Sequence, residues 1–169
     1  MVNELNDIIQ YLLKSNEGLL AIAVKQRAKF EGWLKFELAH ALNCKYPGVV
    51  VEFSAERNGG EKVLVDLHAN NSLIELKTAN TNYCKDLCQS PTRPITKNVE
   101  SINHDIEKLK SISFSGKKYI AFTMFPLDSE QAYKKHTNNI VENLKFHKEE
   151  IIDIKGIPVL VFTGEVGNN

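Results

Sequence analysis

Apolar residues recur at helical spacing in residues 3–14, where Leu5, Ile8, Ile9 and Leu12 share a face and predict a short opening helix. Residues 19–42 hold one long or broken helix whose stripe is Phe30, Trp33, Leu34, Leu38 and Ala41, ended by Asn43 and then Pro47-Gly48. The period then drops to two. Residues 49–53 read as a strand, Asn58-Gly59-Gly60 as the turn into a second strand, and 63–67 and 73–76 as hairpin arms joined at Asn70-Asn71. A polar stretch at 80–96, rich in Asn, Thr, Ser and Pro, reads as a long, substrate-facing loop. Beyond it, Ile95, Val99, Ile102, Ile106, Leu109 and Ile112 make the core face of another helix. His104, Asp105 and Lys108 lie beside or opposite that face and read as mostly solvated, with approach of Asp105 or Lys108 to the substrate groove as the alternative. Residues 119–125 and 157–162 are nearly continuous apolar runs, as in strands covered on both faces, with a helix expected between them at 130–146.

The order is therefore helix, three antiparallel strands, helix, strand, helix, strand, which predicts an α/β fold with a mixed sheet flanked by helices. Without a repeat or long linker, residues 1–169 read as one domain. At 169 residues and 43% hydrophobic, the chain can bury a core without disulfides or structural metal. No run approaches the ~18 apolar residues of a membrane span, and Glu4 and Asp7 stand where a signal peptide needs basic residues. The expectation is a cytoplasmic protein with no membrane partner. Cys44, Cys84 and Cys88 are an odd set, which favours reduced thiols over a disulfide framework, and Cys84 and Cys88 lack a second ligand pair for zinc.

Candidate chemistry concentrates in the hairpin. If the two asparagines make the turn, Ala69 faces Ser72, His68 faces Leu73, Asp66 faces Glu75 and Leu64 faces Lys77. Like charges opposed across strands are unfavourable, so the carboxylates must share a proton or take a cation. Two hard oxygen ligands plus water suit Mg²⁺ or Mn²⁺. Lys77, on the same face, could orient or help deprotonate a metal-bound water, or neutralise charge on a phosphoryl oxygen. The plainer alternative is an ion-paired, solvated sheet surface. His68 falls one step from Asp66 on that face, as a metal or phosphate neighbour or as an ordinary hairpin histidine. Glu37 falls within the apolar stripe of the preceding helix, where an unpaired carboxylate is costly, whereas Glu31 lies to one side as the weaker candidate.

In order and content, Glu37, Asp66 and Glu75-Leu76-Lys77 resemble the restriction-endonuclease-like PD-(D/E)xK nuclease superfamily, with Val65 in the place of the proline. The resemblance implies a restriction-endonuclease-like αβββαβ core. It also implies Mg²⁺ or Mn²⁺ held by Asp66, Glu75 and the Leu76 carbonyl, with Glu37 contributing directly or through water, and Lys77 serving the attacking water. The implied activity is metal-dependent phosphodiester hydrolysis, with DNA as the expected substrate.

A net charge of zero, from 21 basic and 21 acidic residues, is unusual for a nucleic-acid enzyme. The distribution is uneven, since residues 67–118 hold eight Lys or Arg against five Asp or Glu. Lys85, Arg93, Lys97, Lys117 and Lys118 are the candidate phosphate contacts, with a locally basic solvated surface as the alternative. In a chain this small, sequence recognition would come from a homodimer, a larger nuclease complex or the 80–96 loop. Asn58-Gly59-Gly60 lacks the lysine and helix entry of a phosphate-binding loop, and no Ser or Cys sits in a nucleophile elbow. Two further readings stay open: a catalytically silent nuclease-fold subunit of a restriction, repair or mobile-element system, and an interaction protein unrelated to nucleic acid.

Overall fold

The computed structural model describes residues 1–83, 95–128 and 131–167. Three helices open the chain, α1 (Val2–Ser15), α2 (Glu17–Lys25) and α3 (Glu31–Lys45), followed by strands β1 (Val50–Glu56), β2 (Lys62–Ala69) and β3 (Ser72–Asn80). Then come α4 (Ile95–Ser111), β4 (Lys117–Phe125), α5 (Lys134–Val141), β5 (Leu144–Ile154) and β6 (Ile157–Val166). The six strands form one sheet in the order β1-β2-β3-β4-β6-β5. It is mixed: β3 and β4 are parallel, joined by the α4 segment, and every other neighbouring pair is antiparallel.

Two apolar clusters cover the sheet's two faces. Leu5, Ile9, Leu12 and Leu13 of α1 and Leu34, Leu38 and Leu42 of α3 pack with Leu67, Ile74, Leu76 and Val161. Ile102, Ile106 and Leu109 of α4 and Ile140 of α5 pack with Leu73, Ile120, Phe122 and Phe162. Eight of the nine β4 residues are buried, as its nearly continuous apolar run predicts. Among the described helices none is long and apolar enough to cross a membrane.

The hairpin register is as expected for its first three pairs, Ala69–Ser72, His68–Leu73 and Leu67–Ile74. Asn70 and Asn71 have φ of 47° and 51°, the left-handed pair that a two-residue I′ turn requires. Gly116 presses against this turn so closely that a Cβ would lie 2.1 Å from the Asn71 carbonyl oxygen.

The 19–42 segment, expected as one long or broken helix, is broken at Arg27, whose φ of 52° ends α2 and redirects the chain into α3. One expectation is corrected. Residues 130–146 are not one helix: α5 covers only Lys134–Val141, and β5 follows as an edge strand antiparallel to β6. Lys155 and Gly156, both with positive φ, close the β5–β6 hairpin.

Candidate metal and phosphoryl-transfer site

The site is a gap that the backbone opens between β2 and β3. Val51 packs with the α1–α3 cluster whereas Phe53 and Ala55 pack with the α4 cluster, although strand alternation should put all three on one face. Leu67 and Val65 of β2 divide in the same way. The reversal falls at Glu52, whose φ is 54°, and at Asp66, which stands opposite it in the β1–β2 register. Past this point β2 no longer pairs with β3, and the ladder stops at Leu67–Ile74.

The edge vacated on β3 must find other partners for its amides. Asp66 Oδ2 accepts from the Leu76 N–H at 2.8 Å, and Glu31 Oε2 accepts from the Thr78 N–H at 3.0 Å. Because an extended residue directs its N–H and C=O to the same strand edge, the Leu76 carbonyl also faces the gap. On the β2 side, the Leu64 carbonyl accepts from Lys108 Nζ at 3.1 Å. Four elements, α3, β2, β3 and α4, thus aim polar groups into one opening.

Charge is arranged in crossed pairs. Glu75 and Lys77, two apart on β3, meet residues three apart on α4 with the signs inverted: Lys108 Nζ lies 2.5 Å from Glu75 Oε1, and Lys77 Nζ lies 2.9 Å from Asp105 Oδ2. Both are close contacts between an ammonium and a carboxyl oxygen. Lys77 Nζ is also 3.8 Å from Glu31 Oε1. Lys35 bridges Glu52 Oε1 at 3.0 Å and Asp66 Oδ1 at 3.4 Å. Among the described residues, the carboxyl groups of Glu31, Asp66, Glu75 and Asp105 therefore share this opening with three ammonium groups, those of Lys35, Lys77 and Lys108.

That surplus of negative charge falls on Glu75, which is only 3% exposed. Burial raises its pKa to about 8 against the lowering effect of Lys108, and the charges of Asp66 and Asp105 add to the rise. Lys77 is desolvated as well, which lowers its pKa, but Asp105, Glu31 and Asp66 outweigh burial and hold it above its ordinary value. Its ammonium therefore stays protonated in this arrangement. Lys35 is likewise held up by Glu52 and Asp66 in spite of burial.

The structure thus brings Asp66, Glu75, Leu76 and Lys77 together but not Glu37. Glu37 lies six residues beyond Glu31, about 120° further round α3 at 3.6 residues per turn, and makes no hydrogen bond or ion pair among the described residues. The α3 carboxylate at the site is Glu31, in the helix's first turn, with Lys35 one turn on along the same face. Phe30 anchors this end of α3 by stacking on Phe125, ring centroids 5.2 Å apart. Asp105 and Lys108, expected to be mostly solvated, point into the site. His68 does not contact Asp66; it stacks on Phe53 at 4.6 Å and meets the Phe114 ring edge-on.

Among the candidate phosphate contacts, Lys85 and Arg93 lie outside the described residues, as do Cys84 and Cys88. Lys97 is exposed in the first turn of α4, near the Asn80 end of β3, where Asn98 Nδ2 donates to the Asn80 carbonyl at 2.7 Å. Lys117 pairs with Glu165 at 2.6 Å at the opposite end, beside Ser72. Lys118 cannot reach phosphate: it is 3% exposed, its Nζ donates to the Ile112 carbonyl at 2.8 Å, and burial lowers its pKa. Strand alternation puts it on the same buried face as Ile120 and Phe122.

Among the described residues, no group of three or more His, Cys, Asp or Glu side chains is arranged to hold a metal. A divalent cation here would rest on Asp66, Glu75 and the Leu76 carbonyl, with water completing its shell. That donor set suits Mg²⁺, which commonly takes only one or two protein carboxylates. The surplus of carboxyl groups around Glu75, where Asp66 and Asp105 both oppose its ionisation, fits such an ion. No family model matches this chain, and no match was found among curated proteins or solved structures.

Proposed function

We propose that this chain is a metal-dependent nuclease of the PD-(D/E)xK type that hydrolyses phosphodiester bonds, with DNA as its substrate. The observation that carries the reading is the gap between β2 and β3, into which Asp66, Glu75 and Lys77 converge beside unpaired strand edges. The succession α3-β1-β2-β3-α4-β4 also agrees with the restriction-endonuclease-like core that the sequence resemblance implies.

Asp66, Glu75 and the Leu76 carbonyl would hold the cation. A divalent ion bound there supplies an acidified water and charge stabilisation on the phosphoryl oxygens. Lys77, kept protonated by Asp105 and Glu31, acts as a hydrogen-bond donor that orients the nucleophile or neutralises developing charge, rather than as a base. Glu31 takes the place expected for Glu37 by fixing the Thr78 amide and the flank of Lys77. Lys97, exposed in the first turn of α4 near the Asn80 end of β3, is the candidate contact to substrate phosphate beyond the gap.

The catalytically silent subunit is the second reading, and one observation favours it: Lys35 and Lys108 already occupy Asp66 and Glu75. End-labelled single- and double-stranded DNA and RNA, incubated with Mg²⁺, Mn²⁺ or EDTA, separate the two. The nuclease reading expects metal-dependent cleavage that is lost in both Lys77→Ala and Asp66→Asn. Binding without cleavage under every condition would favour the silent subunit.

A further inference from the structure

We propose that the Lys108 ammonium is the resident occupant of the Glu75 carboxyl group, and that a divalent cation must displace it to enter, so that α4 controls metal loading. This rests on the metal-dependent reading above, and adds a competitor that neither the hairpin nor its sequence pattern supplies.

Position is the first support. Lys108 Nζ contacts Glu75 Oε1 at 2.5 Å and donates to the Leu64 carbonyl at 3.1 Å, so the ammonium sits between the two parted strand edges. It is anchored to the carboxylate that the cation would need. Lys108 stands in the last turn of α4, where the helix dipole also favours a cation.

The contact is also built to exchange. Lys108 brings a single positive charge to Glu75 Oε1, which a doubly charged ion can replace. The four-carbon lysine stem is flexible, and the Lys108 side chain keeps 17% of its surface in contact with solvent, which leaves an outward path. Lys77 differs, because Asp105 and Glu31 hold its ammonium from two elements. Displacing Lys108 therefore leaves Lys77 in place.

The predicted signature is competition. If only molecules with the ammonium withdrawn accept the ion, apparent affinity falls by the fraction withdrawn, and removing the charge should tighten binding on the order of tenfold or more. Mn²⁺ binding is measured by electron paramagnetic resonance of the free ion, without nucleic acid, for the wild type, Lys108→Met, Asp66→Asn and the double variant. Tighter binding by Lys108→Met that Asp66→Asn abolishes is the expected result. Equal or weaker binding by Lys108→Met, with Asp66-dependent binding by the wild type, would overturn the proposal and leave the metal reading standing. No Asp66-dependent binding in the wild type or Lys108→Met would overturn both.

A second measurement needs only the native sequence and holds if Lys108→Met fails to fold. Reductive dimethylation, read at Lys108 by peptide mass spectrometry, should become several-fold faster when saturating Mg²⁺ expels the ammonium. An unchanged Lys108 rate at a Mg²⁺ concentration that saturates an Asp66-dependent thermal shift would contradict displacement.

Discussion

Replacing Glu75 by glutamine removes one ionisable proton from the buried centre of the site while keeping the shape of the neutral acid. Glu75 has its pKa raised from 4.5 to about 8, chiefly by burial. Between those values the folded wild type retains a proton that the unfolded chain has released, so wild-type stability must fall as pH rises through this window and level off above it. At ~1.4 kcal/mol per pH unit, a gap of about 3.5 units corresponds to at most about 5 kcal/mol. Water entry around an ionised buried carboxylate relieves part of that. The glutamine variant lacks this loss. Urea unfolding of both proteins from pH 5 to pH 9, in EDTA, should show the variant gaining on the wild type by several kcal/mol, with most of the gain below about pH 8. A stability difference that is flat across the range would refute the assignment of Glu75 as a buried, reluctantly ionised carboxylate.

Three further outcomes test other parts of the structure. Gly116→Ala places a Cβ 2.1 Å from the Asn71 carbonyl oxygen, so backbone must move, and a loss of about 2 kcal/mol or more should appear as a lower thermal midpoint; an unchanged midpoint would disprove the close approach. At Glu52, with φ of 54°, asparagine should be tolerated while valine loses about 1–2 kcal/mol more, measured by denaturant midpoint; equal stabilities would argue against a left-handed residue inside β1. Lys118→Met should leave the salt dependence of DNA binding unaltered, whereas Lys97→Ala should reduce its slope by about one. The reverse pattern in fluorescence anisotropy would exchange the roles given to these lysines.

Much of the hairpin was legible because turn chemistry and period two fix register together: Asn70 and Asn71 set φ positive, and the pairs around them follow. The parting of β2 from β3 was not legible. It arises from a left-handed Glu52 on a third strand, and glutamate carries no sequence signal for positive φ. Selecting Glu37 followed from its place in the apolar stripe, but the site meets α3 at its first turn, where Glu31 and Lys35 lie one turn apart. That i, i+4 pair beside Phe30 was the usable signal. The expected repulsion between Asp66 and Glu75 is moderated in ways no local pattern reveals, since the Leu76 amide and Lys35 engage Asp66 and Lys108 engages Glu75. Asp66→Ala would therefore strand the Leu76 amide rather than simply relieve repulsion, which is why Asp66→Asn is the better probe.

The remaining misreadings have local causes. Lys118 was one residue outside the apolar run taken as β4, yet extending the alternation from Ile120 already assigns it to the buried face. The expected helix ends at Phe146 and the rest of β5 carries no assignment, because the Lys and Glu residues of an exposed edge strand hide its alternation. The α4 residues Asp105 and Lys108 flank the apolar stripe, and whether flanking charges face water or a partner depends on the sheet beneath them.

Nicking of supercoiled plasmid by the purified protein tests the nuclease proposal most directly, with Mg²⁺, Mn²⁺ or EDTA and with Lys77→Ala treated in parallel. Metal-dependent conversion to open-circular DNA by the wild type, absent in EDTA and in the variant, is the predicted result. Equal nicking by both proteins, or none by a folded wild type that binds the plasmid in either metal, would contradict it.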